Sequence, residues 1–123
     1  MRALWILLGL MPLAVGRALA QDPVVVDTAH YKVEFENEQV RVLRITYGPH
    51  EQSVMHDHPA GVGVLLTDSR VQFTVPDGET VELDRKAGET IWAEAGPHLP
   101  QNMTDQPFEI ILVELKDPSP GSD

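Results

Sequence analysis

Short segments in which apolar and polar residues alternate make up most of the chain after residue 20. In the segment 70–75, for example, Val71, Phe73 and Val75 occupy every second position. Residues two apart in a β-strand point to the same side, so this period predicts strands that bury one face. Turn-forming residues separate the segments, as at 76–78, and no segment after residue 20 has the period of a helix.

The strands predicted in this way are short and evenly spaced. They lie at 24–26, 30–35, 39–47, 53–58, 62–66, 70–75, 79–83, 89–94 and 108–115. The segment 62–66 is nearly all apolar, which predicts a strand buried on both faces. We assign to the core Leu65, Phe73, Ile91, Phe108, Ile110 and Leu112. Eight to ten short strands with hairpin connections predict an all-β jelly-roll sandwich or barrel.

The first twenty residues have the three parts of a secretory signal peptide. A Met-Arg start is followed by an apolar run at 3–15 and by Ala-Leu-Ala at 18–20. We therefore expect cleavage after Ala20, a β-barrel domain at 21–116, a disordered tail at 117–123 and a periplasmic or secreted location. The apolar run is short and interrupted, and the chain has no cysteine for a lipid anchor, so we expect no membrane anchoring after cleavage.

Charge and cysteine content narrow the classes of partner and site. Removal of Arg2 and Arg17 with the signal leaves seven basic residues against nineteen acidic ones, a net charge of about −12. Such a surface disfavours nucleic acid and anionic membranes as partners. Without cysteine there are no disulfides and no thiolate ligands, so the exported domain depends on its core and on any bound metal.

Three histidines carry the most specific chemistry in the chain. His56 and His58 are two apart in a predicted strand, so both imidazoles point to one side, and His98 supplies a distant third. Neutral imidazole is a ligand for zinc, iron, copper, nickel and manganese, which the sequence does not distinguish. If the strand continues straight back from His56, Gln52 and His50 share its face and are weaker candidates for a fourth ligand.

Few other residues suggest a chemical role. Glu94 is a weak candidate for general acid–base catalysis, since it lies just before the turn to His98, and Glu51 precedes the histidine strand. Trp92 has the same parity as Glu94, so we expect both side chains to line the cavity or both to face outward. We expect His30 at the surface, and Asn102 to fix the backbone of a turn.

These residues resemble the two motifs of the cupin superfamily. In the first motif, a glycine (Gly48) is followed by a His-x-His pair. In the second, glycines precede a histidine and, four residues later, an asparagine, as do Gly88, Gly96, His98 and Asn102. The resemblance spans about residues 39–115 and implies a double-stranded β-helix, that is, a jelly-roll barrel. It also implies a homodimer that forms through the sheets, and the early strand 24–27 could add to a partner's edge.

The chain departs from the family pattern in three places. Val62 or Gly63 stands where the first motif has a glutamate ligand, Glu94 replaces the proline of the second motif, and the interval from Gly96 to His98 is one residue short. Cupins with three histidines and no glutamate include β-diketone-cleaving and thiol dioxygenases. The resemblance therefore implies a divalent metal held by three histidines rather than by the usual four ligands.

Three functional hypotheses follow. Three neutral ligands leave a divalent ion its full charge, which favours a small, chelating organic anion as substrate in a metal-dependent reaction of dioxygenase or isomerase type. The alternative is a non-catalytic periplasmic module that binds a metal or a small ligand, since the sequence offers no strong general base. In the third, the histidines are incidental to a structural jelly roll.

Overall fold

The computed structural model describes residues 21–117, so the predicted signal peptide at 1–20 and residues 118–123 of the predicted tail lie outside the described residues. The described elements, in chain order, are α1 (Pro23–Val26), β1 (Tyr31–Glu36), β2 (Val40–Tyr47), β3 (His56–His58), β4 (Gly61–Leu65), β5 (Ser69–Thr74), β6 (Thr80–Arg85), β7 (Thr90–Ala93), β8 (Gly96–Asn102) and β9 (Phe108–Leu115). The antiparallel strands form a five-stranded sheet, β1-β2-β9-β4-β7, and a four-stranded sheet, β3-β8-β5-β6. The predicted all-β jelly roll is confirmed.

The short apolar run at 24–26 is a helical turn rather than a strand. Asp22 caps helix α1 by accepting a hydrogen bond from the Val24 N–H, and Pro23 occupies the first helical position, which its fixed φ favours. The predictions of a strand at 24–27 and of no helix after residue 20 were therefore wrong, because four residues are too few to show a helical period. The segment 24–27 is therefore not a strand that could add to a partner's edge.

Helix α1 is also the only helix among residues 21–117, and no helix in that range is long and apolar enough to cross a membrane.

Strand β4 is buried on one face, not on both as its apolar sequence predicts. Gly61, Gly63 and Leu65 are buried, whereas Val62 alternates with them and remains 37% exposed. The strand pairs with β9 on one side and β7 on the other, so it is central in its sheet, but no second layer covers the outer face of that sheet within residues 21–117. An apolar strand sequence alone does not tell whether the second face is covered.

The core lies between the two sheets and contains most of the residues assigned to it from the sequence. The buried cluster consists of Tyr31, Leu43, Ile45, Tyr47, Val71, Phe108 and Leu112. Phe73 and Ile110 pack against this cluster, and Leu65 is buried nearby. Each large side chain buried in this way contributes about 1.5–3 kcal/mol to the stability of the fold. The core therefore holds together the two sheets that carry the site.

Candidate metal centre

Pairing between β3 and β8 brings the three histidines together. His56 lies directly opposite His98 in the antiparallel register, and His58 lies opposite Gly96. His56 and His58 point to the same face because they are two apart in the strand. Gly96 begins β8 with a φ of 134°, in a region that residues with a side chain rarely adopt, so a glycine suits this entry into the strand.

The three imidazoles face one point. Their ring centroids are 4.8 to 5.0 Å apart, and one nitrogen from each ring lies within 4.8 Å of the other two. The Nε2 atoms of His56 and His58 are 3.2 Å apart. Two nitrogens bound to one tetrahedral ion at about 2.1 Å are about 3.4 Å apart, so this spacing is close to the one that such an ion requires.

The polar atoms at this point also suit a metal ion. Nε2 of His98 is buried and has no hydrogen-bond partner among the described residues, a costly arrangement for a polar atom unless something else contacts it. Burial and, to a smaller extent, the neighbouring His58 lower the pKa of His56 to about 4 and that of His98 to about 3. Both rings are therefore neutral at pH 7 and have a lone pair to offer.

A buried carboxylate orients His58. Nδ1 of His58 donates to Glu114 across 2.8 Å, which favours the tautomer whose lone pair is on Nε2, the nitrogen 3.2 Å from Nε2 of His56. Arg41 Nε donates to the second oxygen of Glu114 at 2.8 Å, and its two terminal nitrogens donate to the carboxylate of Asp22 at 2.9 Å. A chain of charge-assisted contacts thus runs from the N-terminal segment to the imidazole.

His56 is fixed by a second set of contacts. Its Nδ1 lies 2.9 Å from the Val54 carbonyl, to which it donates, and 3.2 Å from the Ser53 hydroxyl. The hydroxyl of Tyr31 lies 3.2 Å from Nε2 of the same ring and 2.7 Å from the Tyr47 hydroxyl. Burial raises the pKa of Tyr31 well above its usual value, so the phenol keeps its proton and can donate a hydrogen bond.

Tyr31 and Glu114 are the two residues of this site that the sequence analysis missed. Glu114 has the same parity as Phe108, Ile110 and Leu112 in β9, so a charged residue at an inward position could have indicated it. Tyr31 lies on β1, which reaches the site only through its pairing with β2, and it carries no comparable signal in the sequence.

A small apolar cavity of about 80 Å³ adjoins the imidazoles of His58 and His98. Among the residues that line it are Phe73, Ile91 and Gly63. Val62 points outward, so Gly63 is the position from which a glutamate could have reached the cavity, and it has no side chain. A cavity of this volume has room for more than one water molecule, and therefore for a small ligand beside the imidazoles.

A larger open depression of about 490 Å³ lies on the other side of His58, against the Arg41–Asp22 pair. Of the three imidazoles only that of His58 lines it, whereas both His58 and His98 line the apolar cavity, which is therefore the better candidate for a ligand next to the histidines.

The structure does not bring the weaker ligand candidates to the three histidines. His50 is exposed and pairs with Asp105 at 2.6 Å, and Gln52 is exposed, with its backbone bridged to Gln101. The alternation of side chains between the two faces of a strand does not continue back from His56, because β3 begins at that residue and the chain before it is irregular.

Glu94 is exposed and lines the cavity, whereas Trp92 is 53% exposed on the outer face of its strand. The expectation that these two side chains share a face was wrong, because β7 ends at Ala93. Glu51 is occupied elsewhere, since its Oε1 accepts hydrogen bonds from the Gly48 N–H and from His30.

Two other expectations concern structural residues. His30 is not at the surface: its side chain is 13% exposed, it stacks on Tyr47 with ring centroids 4.2 Å apart, and its nitrogens contact Asp27 and Glu51. Asn102 fixes a turn, as predicted. Its amide donates to the carbonyls at 48 and 106 and accepts from the backbone at 104.

Comparisons with known proteins agree with this architecture. No protein-family model matches the chain, and no curated protein sequence matches it. A cupin domain from Bordetella pertussis is 25% identical, with a TM-score of 0.65, over 71% of this chain and 92% of the other. A double-stranded β-helix protein from Klebsiella pneumoniae is 22% identical, with a TM-score of 0.55, over 68% of this chain and 72% of the other.

A polyketide cyclase from Streptomyces resistomycificus has the same fold at 18% identity, with a TM-score of 0.53, over 71% of this chain and 64% of the other. At this identity the likeness concerns the fold alone. The motif residues, the two antiparallel sheets and these solved structures agree, and the chain has the double-stranded β-helix fold of the cupin superfamily.

Proposed function

We propose that this protein binds a divalent transition metal ion through His56, His58 and His98, and that a small organic anion completes the coordination. The observation that carries the proposal is the buried Nε2 of His98, which has no partner among residues 21–117, in a ring with one nitrogen within 4.8 Å of a nitrogen of each of the other two. The all-nitrogen donor set suits iron, zinc, manganese, nickel or copper, and it does not select among them.

The surroundings of the site support a small anionic ligand. The protein residues supply no negative charge directly to the ion, so a bound ion would supply Lewis acidity at its full double charge. Mostly apolar side chains line the cavity beside His58 and His98. The protonated hydroxyl of Tyr31, 3.2 Å from His56 Nε2, is placed to donate a hydrogen bond to an oxygen of the ligand.

The enzymatic form of this proposal is a reaction of dioxygenase or isomerase type on a small organic anion. In that reaction Tyr31 would hold a proton at its hydroxyl, and His58 would keep its orientation through Glu114. Solved structures with this fold include the polyketide cyclase, but function depends on the site rather than on the fold.

The non-catalytic alternative is a module that binds a metal or a small ligand. It is favoured by the state of the two nearest acids: both oxygens of Glu114 are engaged by His58 and Arg41, and Glu94 is exposed at the cavity. Neither has the position of a general base that is buried and free.

The cellular setting is also a proposal. The signal-like pattern at 1–20 supports export to the periplasm or beyond, without membrane anchoring after cleavage. The acidic composition supports metal cations and small molecules as partners and disfavours nucleic acid.

Metal content tests the proposal directly. Protein purified without chelator should contain about one equivalent of a transition metal by elemental analysis, and stripped protein should rebind Co²⁺ with a visible spectrum typical of nitrogen ligands. His98→Ala should weaken Co²⁺ binding at least about a hundredfold, whereas His50→Ala, a matched loss of an exposed histidine, should not. Metal below about a tenth of an equivalent, combined with no Co²⁺ spectrum, would overturn the proposal.

Turnover separates the enzyme from the binder. The metal-loaded protein should be assayed against β-diketones, thiols and sugar acids, with Tyr31→Phe compared with the unmodified protein. Turnover that falls in Tyr31→Phe at unchanged metal content supports the enzyme. A large rise in melting temperature with metal, without turnover of any of these substrates, supports the binder.

A further inference from the structure

The two aspartates that flank helix α1 are each connected to one of the proposed metal ligands. Asp22 precedes the helix and Asp27 follows it, so both belong to one short segment, 21–27. Each carboxylate reaches its imidazole through other side chains rather than directly. The segment is thus connected to two of the three histidines by its two carboxylates.

The first connection ends at His58. Both terminal nitrogens of Arg41 donate to the carboxylate of Asp22 at 2.9 Å, and its Nε donates to Glu114, which accepts from Nδ1 of His58. The hydrogen bonds from Arg41 keep the pKa of Asp22 below its usual value, so that carboxylate is ionised at neutral pH. Asp22 therefore fixes the guanidinium, which in turn fixes the carboxylate that orients the imidazole.

The second connection ends at His56. The hydroxyl of Ser53 donates to the carboxylate of Asp27, which also accepts from Nδ1 of His30 at 2.8 Å. The oxygen of that hydroxyl lies 3.2 Å from Nδ1 of His56, whose N–H also donates to a backbone carbonyl. Because Ser53 gives its hydrogen to Asp27, its lone pair is available to the imidazole N–H. The proton is thereby kept on Nδ1, and Nε2 of His56 keeps its lone pair.

Backbone and apolar contacts dock the segment next to the histidine strand. The carbonyl of Gln21 accepts a hydrogen bond at 2.7 Å from the N–H of Asp57, the residue between His56 and His58 in β3. The side chain of Pro23 is fully buried, and Val24 packs against the core cluster. A helix of four residues is not stable by itself, so α1 forms because it docks.

We propose that Asp22 and Asp27 are positioning residues for the metal centre, so that docking of the segment 21–27 and binding of the metal strengthen each other. These roles rest on the proposed function, because they require a metal at the three histidines. Docking holds two imidazoles in the tautomer that a metal needs, and a bound metal holds the same imidazoles from the other side. Such coupling is reciprocal: the factor by which docking raises the metal affinity equals the factor by which the metal stabilises docking.

Metal affinity tests the two positioning roles. The full chain is expressed, its N terminus is identified by mass spectrometry, and the stripped protein is titrated with Zn²⁺ in a calorimeter. Asp22→Asn and Asp27→Asn should each weaken Zn²⁺ binding about 3- to 10-fold, less than the loss of a side chain that contacts the imidazole itself. Asp105→Asn is the matched control, because Asp105 is 88% exposed and pairs with His50 outside the site. This variant should keep its affinity within about twofold.

Double variants distinguish a connection through named side chains from the general loss of a negative charge. In a Glu114→Gln protein, Asp22→Asn should weaken binding less than about twofold further, because its connection is already broken. The same holds for Asp27→Asn in a Ser53→Ala protein. A purely electrostatic effect would be equally large in both backgrounds. The two single effects should multiply in Asp22→Asn/Asp27→Asn, since the connections end at different histidines.

Amide hydrogen exchange measures the reciprocal effect of the metal on docking. The N–H groups of Val25, Val26 and Asp27 donate to carbonyls at 22 and 23, and they exchange when the segment undocks. Zn²⁺ should slow their exchange about tenfold or more in the unmodified protein. In Asp22→Asn/Asp27→Asn the slowing should be smaller by the factor that this variant loses in Zn²⁺ affinity. The N–H of Gly78, bonded within the turn between β5 and β6, is the control and should not respond.

The outcomes separate the positioning roles from the metal site itself. Unmodified protein that binds neither Zn²⁺ nor Co²⁺ would overturn the proposed function and the positioning roles together. Zn²⁺ binding with unchanged exchange in α1, or folded aspartate variants that bind Zn²⁺ as tightly as the unmodified protein, would overturn the positioning roles alone. Circular dichroism establishes folding, and asparagine at 22 still caps the helix. If Asp27→Asn does not fold, Ser53→Ala breaks the same connection and should weaken Zn²⁺ binding about tenfold.

Discussion

Replacing Glu114 by glutamine should weaken metal binding, although the substitution leaves in place all three histidines that we propose as ligands. Glu114 is 1% exposed and accepts from His58 Nδ1 through one oxygen and from Arg41 Nε through the other, both at 2.8 Å. Glutamine has the same shape but only one acceptor oxygen. Arg41 can only donate, so it should take that oxygen, and the amide NH₂ would then face His58 Nδ1. The imidazole proton would move to Nε2, the atom needed for the metal.

Both consequences can be estimated from the structure. The substitution removes one charge-assisted hydrogen bond, about 1.5–3 kcal/mol, and the half-buried Arg41 loses part of its compensating negative charge, so the free energy of unfolding should fall by about 2–4 kcal/mol without metal. Loss of an orienting partner of a metal-binding histidine typically weakens metal affinity by about 10- to 100-fold. That range equals about 1.4–2.8 kcal/mol, in agreement with one lost hydrogen bond.

Two measurements check this prediction. Calorimetric titration of stripped protein with Zn²⁺ gives the metal affinity, and urea unfolding in the presence of chelator gives the stability of the metal-free fold. Glu109→Gln is the matched control on the same strand, since Glu109 is 35% exposed and pairs only with a surface arginine. Such surface pairs contribute at most about 1 kcal/mol, and this variant should keep its metal affinity. A Glu114→Gln protein that binds Zn²⁺ as tightly as the unmodified one would refute the orienting role of Glu114.

Two further outcomes follow from the packing and the ion pairs. Gly61→Ala should destabilise the protein by about 3 kcal/mol or more, because the added Cβ would lie 2.1 Å from a backbone carbonyl oxygen of β9. Gly63→Ala should destabilise it by about 1 kcal/mol or less, because its Cβ would lie 3.1 Å from an isoleucine side chain that can move. Urea unfolding midpoints compare the two variants. Burial lowers the pKa of His30, but hydrogen bonds to Asp27 and Glu51 outweigh it and raise the value. The stability that His30 adds over His30→Gln is therefore complete below about pH 6.5 and is lost as pH rises through the raised pKa. The free energy of unfolding of both proteins is measured by urea in the presence of chelator. A difference between them that does not narrow from about pH 6 to about pH 9 would contradict this prediction.

The strand pattern was predictable because it depends on backbone geometry. A side-chain period of two is a local property of an extended chain, so alternation at 70–75 or 79–83 indicated strands without knowledge of their partners. The same reasoning placed His56 and His58 on one face, and the structure has them in one three-residue strand. It failed for His50 and Gln52, since parity says nothing about where a strand begins.

Long-range pairing decided what the local pattern could not. His98 meets His56 because β3 and β8 pair in one particular register, and a shift of one residue would have turned that imidazole to the other face. Tyr31 and Glu114 reach the site from strands 25 and 56 residues away in sequence from the histidines that they contact. Neither contact has a local signature in the chain.

The outer face of the five-stranded sheet also shows which features depend on the sequence alone and which depend on the tertiary structure. The sequence determined that the chain forms strands, that 62–66 and 108–115 are strongly apolar, and that three histidines are spaced as two neighbours and a distant third. Only the tertiary structure decided that Val62 and Val113 lie side by side at the surface, that a bulge adds Phe35 to them, and that the three imidazoles meet. The physical reason is that alternation is set by each strand alone, whereas register, bulges and the covering of a face depend on which strands pair.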